Sequence, residues 1–262
     1  MPRFAANLSF LFTELPLPER FGAAAAVGFK GAELLFPYDL DAVDIAKAFR
    51  DCGIEPVLFN TPPGDWEAGE RGLAALPGAE ERFRQSLEVA IHYARAVGNG
   101  RLHMMAGIPP EGAAPADCDA VFVENLRLAA NLAAPHDITV LIEPINPIDI
   151  PNYFLTRQDH AMRLLDAAGR DNTALQMDFY HCARVEGDPG NCFRRNFPHI
   201  GHIQIASVPE RNEPDTGDLD YRPLFTLIDE MDYRGWVSCE YRPRGGTLEG
   251  LGWARAWGIR AA

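Results

Sequence analysis

At 262 residues, of which 47% are hydrophobic, the chain is long enough for one sizeable core and near the roughly 250 residues of a (β/α)₈ barrel. With 24 basic against 37 acidic residues the formal net charge is −13, which argues against a nucleic-acid surface and means that an anionic small molecule would need locally placed positive charge. Five scattered cysteines without a CxxC pair suggest neither a disulfide framework nor a thiolate zinc site, and reduced thiols in a cytoplasm fit that usage.

The N-terminal stretch MPRFAANLSFLFTELP lacks the long apolar region and small-residue cleavage site of a signal peptide, so it reads as a first strand, and no run approaches a membrane span. From there, short apolar runs alternate with longer amphipathic segments, the pattern of parallel strands joined by helices. Eight strands are expected, beginning near Phe4, Gly31, Pro56, Arg101, Val140, Ala174, Gly201 and Trp236, and Gly28, Gly53, Gly98 and Gly235 precede four of them. PLPERFGAAAAV and DAVDIAKAFRDC supply the first two helices, and helical periodicity is clearest over 79–97 and 119–134. Two long loops, 60–78 and 207–219, follow the third and seventh strands and are expected to act as lids or substrate walls. The whole chain reads as a single-domain α/β protein, a (β/α)₈ TIM barrel over 1–262.

Four oxygen-bearing side chains, Glu143, Asp178, Gln204 and Glu240, end the fifth to eighth strands at spacings of 26 to 36 residues. Strand C-terminal ends converge on one mouth of a barrel, where active sites form. Two glutamates, an aspartate and an amide suit a hard divalent cation such as Mg²⁺ or Mn²⁺ better than zinc. Glu143 and Glu240, three strands apart, can face each other across a substrate, one abstracting a proton and the other returning it. Such a pair beside a cation that stabilises an enediolate fits aldose–ketose or epimerisation chemistry on a short polyol. Blander roles are open for each residue: Asp178 as a helix cap, Gln204 as a satisfied core amide, His181 as a surface histidine rather than a substrate hydrogen bond or proton relay. His103 can line the pocket or pack in the barrel. Arg211, Arg242 and Arg244, after strands seven and eight, are candidate anchors for a substrate carboxylate. Cys182 and Cys239 are expected to be packing residues.

The segments at 11–39, 64–78 (GDWEAGERGLAALPG), 142–155 (IEPINPIDIPNYFL), 175–181 (LQMDFYH), 201–221 (GHIQIASVPERNEPDTGDLDY) and 239–243 (CEYRP) resemble hydroxypyruvate isomerases, a family of the xylose-isomerase-like TIM barrels. The likeness spans nearly the whole chain. It implies interconversion of hydroxypyruvate and tartronate semialdehyde, with Glu143 and Glu240 as acid/base pair, those two with Asp178 and Gln204 as metal ligands, and His181 binding substrate. It also implies a homo-oligomer acting on a small hydroxy or oxo acid. Ser207 stands where an acidic residue is expected and Ile148 where a basic one is expected, which keeps a 2-oxo-tetronate isomerase and a ketose 3-epimerase open as alternatives. A non-catalytic barrel that binds sugar acids is the alternative from outside the enzymes.

Overall fold

The computed structural model describes residues 1–260. Its eight strands are β1 (Arg3–Asn7), β2 (Gly31–Leu34), β3 (Glu55–Asn60), β4 (Arg101–His103), β5 (Thr139–Ile142), β6 (Thr173–Asp178), β7 (Ile200–Ile205) and β8 (Trp236–Cys239). All neighbours pair in parallel, and β1 pairs with both β2 and β8, so the sheet closes in chain order into a barrel. The eight expected strands are therefore the eight observed. Outside them run α1 (Leu17–Ala26), α2 (Ala42–Cys52), α3 (Glu80–Val97), α4 (Pro115–Ala133), α5 (Gln158–Ala168), α6 (Phe179–Glu186), α7 (Pro189–Asn196), α8 (Tyr221–Glu230) and the short α9 (Thr247–Gly250).

Local chemistry explains most boundaries. Asp41 starts α2 by accepting from the Val43 amide, and Gly53 ends it in the left-handed region. The helix expected over 119–134 begins earlier, at Pro115, because proline at a first helical position has no amide hydrogen to leave unpaired. Between β6 and β7 the chain forms two short helices, each started by an aspartate: Asp178 accepts from the Tyr180 amide and Asp188 from the Asn191 amide. No helix among the described residues is long and apolar enough to cross a membrane.

Strand alternation divides the core in two. The larger apolar cluster lies between sheet and helices, while Ala5, Val57, Leu58, Leu141 and Trp236 form a separate group inside the barrel. Trp236 fits there because Gly31 lacks a side chain: a Cβ at that position would meet the indole at 3.0 Å and a Val57 methyl at 2.8 Å. This plug fills the N-terminal end of the barrel and serves as the floor on which the polar residues of the opposite end stand.

Candidate active site

Above the floor the barrel interior is polar and its side chains are buried. Asn7, Glu33, His103, Glu143, Gln176, Asp178, His181, His202, Gln204 and Glu240 are all buried. Their elements explain their convergence, since all but two lie within or just beyond the C-terminal half of a barrel strand, while His202 sits one residue pair lower on β7 and His181 in the first turn of α6. The four residues expected to end the last four strands do so and meet at one mouth. There a cavity of about 410 Å³ is lined by Glu143 and Glu240, by His103, His181 and Gln176, and by three arginines, Arg71, Arg211 and Arg242.

Glu240 is firmly held. Its Oε1 accepts from Arg211 Nη2 at 2.5 Å, and its Oε2 accepts from Asn7 Nδ2 at 2.9 Å and Gln204 Nε2 at 2.5 Å. Beneath it the Glu33 carboxylate accepts from Asn7 Nδ2 at 2.8 Å and Gln204 Nε2 at 2.8 Å, while His202 Nε2 lies 2.8 Å from its other oxygen. Gln204 is thus the satisfied amide that the blander reading allowed, its Oε1 accepting from Gln176 Nε2 at 2.6 Å. Gln176 Nε2 also donates to Glu143 Oε2 at 2.9 Å, so a chain of amides links the two glutamates across the barrel.

Glu143 and Asp178 each keep one oxygen in reserve. Asp178 Oδ1 caps α6 through the Tyr180 amide at 2.7 Å, whereas its Oδ2 and the Oε1 of Glu143 are buried without a hydrogen-bond partner. Both roles considered for Asp178, cap and site residue, are therefore compatible, one to each oxygen. His181 Nε2 lies 3.7 Å from Asp178 Oδ2 and 3.8 Å from Glu143 Oε1, and the three residues offer atoms within 4.8 Å of one another. Two buried, unpartnered carboxylate oxygens close to one another fit a hard divalent cation.

The histidine's neighbours settle its protonation. Asn146 Oδ1 accepts from the amides of Ile148 and Asp149, both at 3.0 Å, which turns its Nδ2 to donate to His181 Nδ1 at 2.7 Å. Burial, then Arg211, holds the imidazole well below its usual pKa, so it is neutral with its proton on Nε2. His181 consequently presents a donor to the reserved carboxylate oxygens and to whatever lies between them, which matches a substrate hydrogen bond better than a metal ligand. His103 has the complementary form. Its Nδ1 lies 3.1 Å from Asn60 Oδ1, its Nε2 is buried without a partner, and burial with His202 lowers its pKa to about 3. It offers the cavity an acceptor.

The carboxylates are strained electrostatically. Burial raises Glu143 well above its usual range, and Glu240 and Asp178 push in the same direction. Burial likewise raises Asp178 to about 6 and Glu240 to about 8, in both cases against the lowering effect of Arg211. Arg211, which has φ of +59°, bridges Glu240 and Asp149, the latter at 3.0 Å from Nη1.

The remaining predicted residues are placed plainly. Arg242 lines the cavity with its guanidinium carbon 5.4 Å from the Phe10 ring centroid; Arg244 pairs instead with Glu213 at 3.1 Å. Ser207 is buried and its hydroxyl accepts from the Asn212 amide at 2.9 Å, so the position serves the loop turn, and Ile148 is exposed beside Asp149. Cys182 and Cys239 are buried in the outer core. Loop 60–78 is a braced wall: Gly72 bridges Ala106, Ala75 N donates to Ala106 O at 2.8 Å, and Arg82 grips Glu70 through two bonds of 2.8 and 2.6 Å. Only glycine fits at 72, where φ is +124° and a Cβ would lie 2.4 Å from the Met105 carbonyl oxygen.

Sequence reasoning passed over Asn7, Glu33, Asn146, Asp149, Gln176, His202 and Arg71. A signal existed for two of them: Gln176 precedes Asp178 by two residues and His202 precedes Gln204 by two, so each pair shares one face of its strand.

The sequence pattern of the xylose isomerase-like TIM barrel family matches residues 21–257. A 2-oxo-tetronate isomerase from Cupriavidus necator is 51% identical over 98% of this chain and 99% of its own. A hydroxypyruvate isomerase from Escherichia coli is 46% identical over 97% of this chain and 98% of its own. Among solved structures, one titled as an AP endonuclease, family 2, from Brucella melitensis superposes with a TM-score of 0.96 at 49% identity, covering 98% of this chain and 99% of that one. With its barrel, its paired buried glutamates and this near full-length likeness, the chain belongs to the hydroxypyruvate isomerase family of xylose isomerase-like TIM barrels.

Proposed function

We propose that the protein interconverts hydroxypyruvate and tartronate semialdehyde (2-hydroxy-3-oxopropanoate). The observation that carries this reading is the pair of buried carboxylates, Glu143 and Glu240, lining one cavity with raised affinity for protons. In the forward direction a proton leaves the hydroxyl-bearing C3 of hydroxypyruvate, an enediolate forms across C2 and C3, and a proton is returned to C2. The former C3 hydroxyl becomes the aldehyde and the former C2 carbonyl becomes the hydroxyl, so no atom is gained or lost. One glutamate takes the carbon-bound proton and the other returns one. A carboxylate whose pKa is raised toward neutrality is suited to both halves of that exchange.

The other side chains have roles that follow from their chemistry. His181 donates from Nε2 to a substrate oxygen, and His103 accepts a substrate hydroxyl at Nε2. Arg211 keeps Glu240 oriented and partly neutralised. Mg²⁺ or Mn²⁺, held at the unpartnered oxygens of Glu143 and Asp178, with Gln204 and Glu240 joining only on giving up present hydrogen bonds, would supply positive charge against the oxygens of the enediolate. Loops 60–78 and 207–219, which bring Trp66, Arg71 and Arg211 to the cavity, wall off water, to which an enediolate is vulnerable.

A second reading has its own support. A cavity of about 410 Å³ exceeds what a three-carbon acid needs, and the relative that is 51% identical acts on a 2-oxo-tetronate by its name, so a four-carbon substrate fits the same chemistry. A nuclease role, suggested by the name of the Brucella melitensis protein, fits poorly. Among the described residues His103 and His181 are the only histidines lining the mouth, too few for a multi-zinc centre, and the net charge of −13 repels a phosphate backbone.

The test is a coupled assay in which tartronate semialdehyde reductase and NADH report conversion of hydroxypyruvate, with Mg²⁺ or Mn²⁺ and, separately, with EDTA. We expect kcat/KM of about 10⁴ M⁻¹s⁻¹ or more, abolished by EDTA. Turnover that survives EDTA would remove the metal from an essential role. Absence of turnover with any metal, beside turnover of a 2-oxo-tetronate, would transfer the assignment to the longer substrate.

A further inference from the structure

The three arginines of the cavity differ in what already holds them: Arg242 has neither a carboxylate within 4.0 Å nor a side-chain hydrogen bond among the described residues, only the Phe10 ring at 5.4 Å, so its guanidinium is not pre-set. Arg211 is neutralised by Glu240 at 2.5 Å and Asp149 at 3.0 Å, with Asp178 at 3.9 Å. A substrate carboxylate placed there would sit beside three carboxylates of the protein, and like charges at such separations repel strongly in a buried site. Arg71 is in the opposite condition. Among the described residues no carboxylate lies within 4.0 Å of it, although the chain carries 37 acidic residues. Its Nη1 donates to two backbone carbonyls, Trp66 at 2.9 Å and Glu70 at 2.7 Å, while its Nε and Nη2 make no hydrogen bond to the described protein. The guanidinium carbon lies 3.7 Å from the centroid of the Trp66 indole, and the next residue, Gly72, is tied to Pro63 and to Ala106. Stacking, two carbonyl contacts and a pinned backbone hold the group in place before any ligand arrives, which lowers the entropy lost on binding. The free Nε–Nη2 edge is the fork that a carboxylate meets with two parallel bonds.

We propose that Arg71 captures the carboxylate of the substrate through its Nε–Nη2 edge and thereby selects sugar acids over neutral ketoses of the same length. The proposal rests on the reading above in one respect, that the substrate is a carboxylic acid. It assigns the anchoring role to a residue of loop 60–78, opposite in sequence to the arginines after β7 and β8, and gives Arg211 the separate task of holding Glu240.

The test pairs kinetics on hydroxypyruvate with equilibrium binding of tartronate, an unreactive dicarboxylate, and of neutral dihydroxyacetone, read by calorimetry and by the fluorescence of the tryptophans. Arg71→Met should raise the KM for hydroxypyruvate and the Kd for tartronate by roughly 10- to 100-fold while kcat stays within about threefold and dihydroxyacetone binding is unchanged. Arg71→Lys, which keeps the charge and loses the fork, should fall between. A wild-type Kd for tartronate in Arg71→Met, or equal losses for the charged and neutral probes, would overturn the proposal. Should Arg71→Met melt early, Arg71→Lys carries the test, and an unchanged tartronate Kd there would overturn it. Tartronate binding that depends on Arg71 in a protein that does not turn over hydroxypyruvate would support the anchor and refute the substrate.

Discussion

Replacing Glu33 by leucine tests whether the polar group under the active site is a single cooperative unit. The carboxylate is 1% exposed and receives three contacts of 2.8 Å, from Asn7, Gln204 and His202. Leucine removes the acceptor and leaves three buried donors behind, each at a penalty of about 1–3 kcal/mol. That comes to roughly 3–9 kcal/mol, from which about 2 kcal/mol is recovered by burying the aliphatic side chain. Relief of repulsion adds a further offset, since Glu33 is one of the groups that raise Glu143 and Glu240. The remainder is a large share of a domain stability of about 5–15 kcal/mol. Glu33→Gln should be far milder. His202 Nδ1 is buried without a partner, so the imidazole can shift its proton there and accept from the new amide through Nε2. Urea denaturation at pH 7.5 in EDTA should show Glu33→Leu losing several kcal/mol, or failing to fold, and Glu33→Gln losing about 1–3 kcal/mol. A leucine variant within about 1 kcal/mol of the wild type would refute the reasoning, because it would mean the three donors find water or other partners at no cost.

Three further outcomes are expected. Glu143→Gln and Glu240→Gln should each lower kcat by about 10²–10⁴-fold with a native circular dichroism spectrum, and activity within tenfold of wild type in either variant would exclude the two-carboxylate mechanism. In metal-free protein, Glu240 (about 8) and Glu143 (well above its usual value) hold protons that the unfolded chain has already released, so stability should fall as pH rises from about 6.5 to 8.5. The buried neutral His103 and His181 act in the opposite sense, but only below about 6.5, where the unfolded imidazole takes up a proton. Melting temperatures should therefore decline across that window in EDTA and stay level in Mg²⁺ or Mn²⁺; a rising EDTA curve would contradict the assignment. Asp178→Asn keeps an oxygen for the Tyr180 amide but loses the reserved anionic oxygen, so calorimetry should show divalent-metal affinity reduced at least about tenfold with little change in melting temperature. Wild-type affinity would remove Asp178 from the ligand set.

The barrel was legible because its signals are local. Apolar runs alternate with amphipathic ones, and aspartate, proline and glycine mark helix ends such as those of α2. Glu143, Asp178, Gln204 and Glu240 could be read from position alone, as polar residues where apolar strands give way to loops. Glu33 could not, because it lies within a buried run and its partners Gln204 and His202 are about 170 residues away in the chain. Nor could the sequence tell Arg71 from Arg211. What separates them is which carboxylates lie within reach, and that depends on how four different loops pack around one mouth.

Asp178 ends a strand, starts a helix and lies against the cavity residues Glu143 and His181, with one oxygen given to each of the last two tasks. Occupancy of the pocket and the integrity of the first turn of α6 are thus written on the same carboxyl group. A ligand that draws electron density from Oδ2 weakens Oδ1 as an acceptor, and the Tyr180 amide should exchange its hydrogen faster in the loaded protein than in the empty one. That single amide would act as an internal gauge of binding, read by solvent exchange without a label, a chromophore or turnover.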